Sequence, residues 1–205
     1  MREADRLQEA VDAHRRAVAL AVDLGNRHGE GEALSGLGSA LCQAREYKKS
    51  IRAHRRAVAV AVELEDTFME GRTLGNVGIA LGDAINFKRA ISTLERAAAI
   101  FGDLGDPYEE CKVLNNLGTT LVERADFTGA IATYEHTATY EHAATVGAAV
   151  TEPHLAGQVV RNLQLALTRE AIVNPDSADG PQAGPRTLAE RGRFLVARIR
   201  PRLRR

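Results

Sequence analysis

A repeat of forty residues constrains this chain more than any other feature. Ala13-His-Arg-Arg-Ala-Val-Ala19 returns as Ala53-His-Arg-Arg-Ala-Val-Ala59. The same step carries Leu34, Leu37, Gly38 and Leu41 to Leu74, Val77, Gly78 and Leu81, and then to Leu114, Leu117, Gly118 and Leu121. It takes Tyr47 to Phe87 and Phe127, and Ile51 to Ile91 and Ile131. A fixed period of this length marks supersecondary units that stack because none can bury its apolar face alone.

Each unit predicts two amphipathic helices. In the first, Leu34, Leu37 and Leu41 are three and four residues apart and share one face. A short break with an aromatic follows (Arg45-Glu46-Tyr47, Ile85-Asn86-Phe87, Ala125-Asp126-Phe127), and the second helix carries Ile51, Ala57 and the Ala/Val run to Val62. Units close at Leu24-Gly25-Asn26, Leu64-Glu65-Asp66 and Leu104-Gly105-Asp106-Pro107, where Gly stops a helix and Asn, Asp or Pro starts the next. A Gly inside a helix costs about 1 kcal/mol against Ala. Keeping Gly38, Gly78 and Gly118 at one phase therefore predicts a close approach of helices, with Ala57 and Ala97 expected to do the same on the second helix. Aromatics are only 4% of the chain and Trp is absent, which agrees with helices packed through small residues.

The run Leu74…Val77-Gly78…Leu81…Phe87…Ala90…Leu94…Ala97 resembles the tetratricopeptide repeat (TPR). The spacing of forty, rather than the commoner 34 or so, is similar to the longer-helix subtype of kinesin light chains, spindle-orientation adaptors and sensor arrays of bacterial signalling ATPases. The resemblance covers about residues 5–172 and implies an all-α, right-handed superhelical stack of antiparallel hairpins. The expected organisation is a half unit over 1–26, repeats over about 27–66, 67–106 and 107–152, and a capping helix over 153–172. A linker rich in Pro, Gly and Asp is expected over 173–185, and a basic tail containing a short helix over 186–205.

Two departures interrupt the pattern. The array opens on a second-type helix, Leu7 to Leu24, so the face of Leu7, Val11, Val18 and Val22 lacks its usual partner. Either the chain is a fragment of a longer array or something else covers that face; dimerisation through this incomplete unit is expected. Further along, Thr133-Tyr-Glu-His-Thr-Ala138 is followed at once by Thr139-Tyr-Glu-His-Ala-Ala144, a six-residue tandem duplication. Six extra residues add about 9 Å of helix. They must extend the helix, bulge it or displace the last one.

No catalytic constellation emerges. The six histidines (His14, His28, His54, His136, His142, His154) lack metal-ligand spacing and read as surface or packing residues. Cys42 and Cys111 form no disulfide framework or zinc motif and read as inert thiols. Gly36-Leu-Gly38 and Gly75-Asn-Val-Gly78 lie inside repeat helices and are not phosphate loops. Neither a cofactor nor a metal is expected, and an enzyme is not. No apolar run reaches the roughly 18–20 residues of a membrane span, and the first ten residues are polar where a secretory signal is apolar. A cytoplasmic protein is expected.

The remaining chemistry is binding. The resemblance implies that first helices line a concave groove, whose polar positions here are Glu32, Ser35, Ser39, Arg72, Asn76, Lys112, Asn115, Asn116, Thr119, Arg161 and Asn162. Asn76, Asn116 and Asn162 fall at one phase, one per repeat, and Gly36 breaks the series in the earlier repeat. A side-chain amide offers a donor and an acceptor, which suits the backbone of an extended peptide. Alternatively, Asn merely tolerates exposed helical surface. Arg72, Lys112 and Arg161 favour an acidic ligand, while Ser35 and Ser39 stand where the family's carboxylate-clamp residues would. The first expectation is a non-catalytic protein-interaction module binding a peptide or partner domain, as the sensor or scaffold of a signalling or regulatory protein.

Net charge is zero, yet residues 186–205 hold eight Arg and one Glu, so their +7 leaves −7 on residues 1–185. The tail is open to three readings: a solvated terminus, contact with the acidic array in cis or between chains, or contact with nucleic acid or an anionic membrane. The alternative function is thus a nucleic-acid-associated regulator whose tail carries the affinity.

Overall fold

The computed structural model describes the backbone of residues 3–146 and 153–174, with side chains described for 5–137 and 158–174. The linker beyond Asn174 and the basic tail lie outside the described residues. Eight helices run in chain order: α1 (Glu3–Asp23), α2 (Arg27–Gln43), α3 (Tyr47–Glu63), α4 (Thr67–Asp83), α5 (Phe87–Leu104), α6 (Pro107–Glu123), α7 (Phe127–Val146) and α8 (Pro153–Val173). The described residues form no strand. The chain divides into two compact units, one ending at Asp106 and one starting at Pro107.

In the first unit each helix packs on the next, and α2 also touches α4 directly. In the second, α6 packs on α7, α7 on α8, and α6 touches α8. This is hairpin upon hairpin, with first-type helices meeting first-type helices.

One turn closes the helices at intervals of twenty residues. Gly25, Arg45, Glu65, Ile85, Gly105 and Ala125 all hold φ between 56° and 66°. In each case the next amide donates to a carbonyl five residues back, as in Asn26 N to Ala21 O and Asn86 N to Leu81 O, which satisfies a carbonyl that the helix end would orphan. The forty-residue period is therefore two such turns. Asn26, Asp66 and Asp126 then cap the following helices, accepting from the amides of Gly29, Met69 and Gly129 at 2.8–3.0 Å. Gly adopts the left-handed region freely at two of the six turns, but Ile85 is β-branched and 76% exposed. That conformation costs an L-residue about 1–2 kcal/mol, and least for Asn. Ile85→Asn is expected to raise stability by about 1 kcal/mol, read as a shifted urea midpoint at constant slope.

The glycines of matching phase sit against large side chains. A Cβ added to Gly38 would lie 2.5 Å from the His54 ring, one on Gly78 2.5 Å from Leu94 Cγ, and one on Gly118 2.5 Å from the Tyr134 ring. His54, Leu94 and Tyr134 are themselves forty residues apart and no more than 1% exposed. The partner of each glycine is thus one bulky residue on the second helix. Ala57 and Ala97 on the second helices are fully buried, Ala57 with Leu34 and Val60.

At the N-terminal end, α1 uses only part of its apolar set. Val11 is buried with Ala40, Leu41 and Ala53, and Val18 packs against Leu34, Ala57 and Val60. Val22 stays 51% exposed while Ala21 turns inward, as do their counterparts one repeat on, Val62 at 52% and the buried Ala61. Across the tandem duplication, α7 continues as one unbroken helix to Val146, which is the extension outcome for the described residues. In α8, Val159, Leu163, Ala166 and Glu170 are buried and Gln164 faces outward.

Candidate functional site

In the first unit α2 and α4 carry five of the expected groove residues, and the fold brings them together in pairs. Arg72 Nη2 donates to Glu32 Oε1 at 3.0 Å. Asn76 Nδ2 donates to Ser35 Oγ at 3.3 Å, and Ser39 Oγ donates to the Ser35 carbonyl at 3.2 Å. The first two bonds join equivalent faces of successive first helices, as the forty-residue step requires. An exposed ion pair of this kind contributes at most about 1 kcal/mol, so its main effect is to neutralise Arg72. Gly36 interrupts the Asn series for a steric reason: the imidazole of His14 on α1 lies where a side chain at 36 would begin.

Beside Ser39 and Asn76 opens a cavity of about 270 Å³ between α2, α3 and α4, lined also by Cys42, Gln43, His54, Ile79 and Asp83. His54 is 1% exposed and its Nδ1 has no hydrogen-bond partner among the described residues. Burial lowers its pKa to about 4, so the ring is neutral at pH 7. The Cys42 thiol donates to Asp83 Oδ2 at 3.1 Å, and its pKa is pushed up to about 12 by burial and then by that carboxylate. It is a thiol, not a nucleophilic thiolate. Sequence reasoning passed over His54, Cys42, Gln43 and Asp83 as site residues. The available signal was a histidine at the phase where Leu94 and Tyr134 stand.

The second unit uses its polar residues differently. Lys112 donates to Glu109 at 2.7 Å and lies 5.2 Å from the centre of the Tyr108 ring, an ion pair with a cation–π contact. Asn115, expected on the groove surface, is 5% exposed: its Oδ1 accepts from Asn162 Nδ2 at 3.0 Å. Thr119 donates to the Asn115 carbonyl at 2.9 Å and lies 3.2 Å from the Tyr134 hydroxyl, so the phenol is the donor in that second bond. Burial raises the Tyr134 pKa. Asn116 is half-buried with a side-chain amide that bonds to nothing among the described residues, and Arg161 is exposed with no carboxylate partner among them. Asn76 and Asn162 thus each spend an NH₂ on the neighbouring first helix and keep an acceptor, whereas Asn116 keeps both groups.

Among the described residues, no three His, Cys, Asp or Glu gather closely enough to hold a metal ion. No helix among them is long and apolar enough to cross a membrane. What the arrangement offers is hydrogen bonding along first-type helices.

Comparison with known proteins agrees with this geometry. Residues 33–67 match the tetratricopeptide repeat family model. No curated protein matches the chain. Among solved structures, TPR-like repeats assigned to a kinesin light chain of Podosopora anserina align with a TM-score of 0.69 at 14% identity, over 98% of this chain and 90% of that one. BtubC (BKLC) of P. vanneervenii aligns at 0.62 and 16%, over 95% and 83%. A Rap protein complexed with competence and sporulation factor aligns at 0.61 and 12%, over 98% of this chain and 60% of that protein. At such identities the likeness is one of fold. By its residue pattern, its fold and the one repeat matched over residues 33–67, the chain is similar to tetratricopeptide-repeat proteins.

Proposed function

We propose that the chain is a non-catalytic, cytoplasmic protein-interaction module that holds a peptide or partner domain along the polar face of its first-type helices, as the sensing or scaffolding part of a regulatory protein. The observation that carries this reading is the Asn series: each amide keeps at least one group for a ligand backbone while its helix stays packed. The Rap protein of similar fold, complexed with competence and sporulation factor, gives the reading a precedent. Arg72 and Lys112 are neutralised by Glu32 and Glu109, so a preference for acidic ligands rests on Arg161.

The test is a pull-down with wild type and an Asn76/Asn116/Asn162 triple Ala variant, with bound proteins identified by mass spectrometry. Partners retained by wild type and weakened at least tenfold in the folded variant support the groove; partners indifferent to it contradict it. Deleting residues 186–205 tests the alternative of nucleic-acid binding through the tail. Binding that disappears with the tail and falls steeply with salt favours that alternative. The exposed Leu20 and Val22 of α1, with Leu24 just beyond it, support self-association through this helix, and a monomer mass by light scattering across concentration would count against it.

A further inference from the structure

We propose that the cavity between α2, α3 and α4 is a subsite for a cationic side chain, the guanidinium or ammonium of an Arg or Lys in a peptide lying along α2 and α4, with the Asp83 carboxylate as its counter-charge. The inference rests on reading that face as a peptide groove.

The one full charge on the cavity lining is negative, the Asp83 carboxylate. Three of the lining donors are spent within the protein, and the Gln43 amide brings a donor and an acceptor without charge. The Cys42 thiol donates to Asp83, the Asn76 NH₂ to Ser35 Oγ, and the Ser39 hydroxyl to the Ser35 carbonyl. The acceptors are the Asp83 carboxylate, Asn76 Oδ1, Gln43 Oε1 and the Ser39 oxygen. Asp83 is exposed, and no cation among the described residues pairs with it. Its partner there is an uncharged thiol. His54, lining the same cavity and 1% exposed, has a nitrogen without a partner among the described residues. A site whose single charge is a carboxylate is complemented by a cation that only donates. Ammonium offers three donors, guanidinium five, and neither accepts. The space suffices: water occupies about 30 Å³, so 270 Å³ holds one long side chain with residual water. Ile79 lines it for the methylene stem.

The chain contains a source of this chemistry in the eight arginines of residues 186–205, and a second protein is the other source. The probe is N-acetyl-arginine amide against its urea isostere N-acetyl-citrulline amide, titrated into the full chain while the His54 ring resonances are followed by NMR. The expected result is a saturable shift with the arginine probe. Binding should weaken at least tenfold with citrulline, and equally with Asp83→Asn, which keeps an oxygen to accept from Cys42. Equal response to both probes, an unchanged Asp83→Asn variant, or no His54 response would overturn the proposal. Replacing the eight tail arginines by Gln separates the sources: tighter probe binding identifies the tail as occupant, and unchanged binding assigns the site to another chain. Either result requires the subsite. If Asp83→Asn abolishes probe binding while the triple Ala variant keeps its partners, the subsite stands and the groove reading falls. If the triple variant loses its partners and Asp83→Asn leaves probe binding intact, the reverse holds.

Discussion

Gly78→Ala is expected to destabilise the chain by about 2 kcal/mol, although Ala is the better helix former. The new methyl would start 2.5 Å from Leu94 Cγ, and Leu94 is fully buried with no open side to move toward. Overpacking of a close-packed core costs about 1–3 kcal/mol, more than the gain of about 1 kcal/mol in helix propensity can offset at the upper end. Leu94→Ala alone should cost about 3 kcal/mol through lost burial and the cavity left behind. The informative variant is the double one. The methyl introduced by Gly78→Ala would occupy space that Leu94 vacates, so the pair should be more stable than the sum of the singles by about 1–2 kcal/mol. Urea denaturation of the four proteins measures this coupling. Strict additivity would show that glycine and leucine do not share that space.

Acid should weaken the fold well above the range where carboxylates titrate, through His54. Its native pKa is lowered to about 4 from 6.5 because burial disfavours the imidazolium. Between those values the unfolded chain binds more protons than the folded one. Stability from this residue is therefore full above pH 6.5 and is lost as pH falls toward 4, by about 3 kcal/mol in all. The titratable groups facing the ring across the cavity are Cys42 on α2 and Asp83 on α4; the thiol is uncharged at these pH values. The repeat itself supplies the control, since the equivalent position holds Leu94. His54→Leu should remove the pH dependence in this window and add about 1–2 kcal/mol at pH 7, because a buried nitrogen without a partner disappears. A wild-type stability flat from pH 7 to 4.5, or a His54→Leu profile parallel to it, would remove His54 as the cause.

Much of this fold was legible because the repeat writes the same physical demand several times. Leu34, Leu74 and Leu114 return to the core, and the phase of Gly38, Gly78 and Gly118 announces close contact. What fills each notch was not legible, since His54, Leu94 and Tyr134 share a position but no chemistry. At four of the six turns the break was legible but its left-handed backbone was not: Arg45, Glu65, Ile85 and Ala125 are residues that rarely adopt that conformation, and only the helices around them force it. At the candidate site, sequence placed Asn115 and Asn116 together as surface groups. Neighbours on a helix point about 100° apart, so one became an internal partner of Asn162 while the other kept its amide unspent among the described residues. The Cys42–Asp83 bond spans forty-one positions and two helices. Neither residue bears a motif that foretells it.

The most direct test of where this protein binds is photocrosslinking from single sites. A photoreactive benzoyl-phenylalanine is placed at Ser35 or Asn76 on the first-type helices, or at exposed Arg55 or Glu95 on the second-type helices, and labelled partners are identified by mass spectrometry. Crosslinks from positions 35 and 76 to one common partner, with none from 55 and 95, are the predicted result. The reverse pattern would contradict binding along the first-type helices.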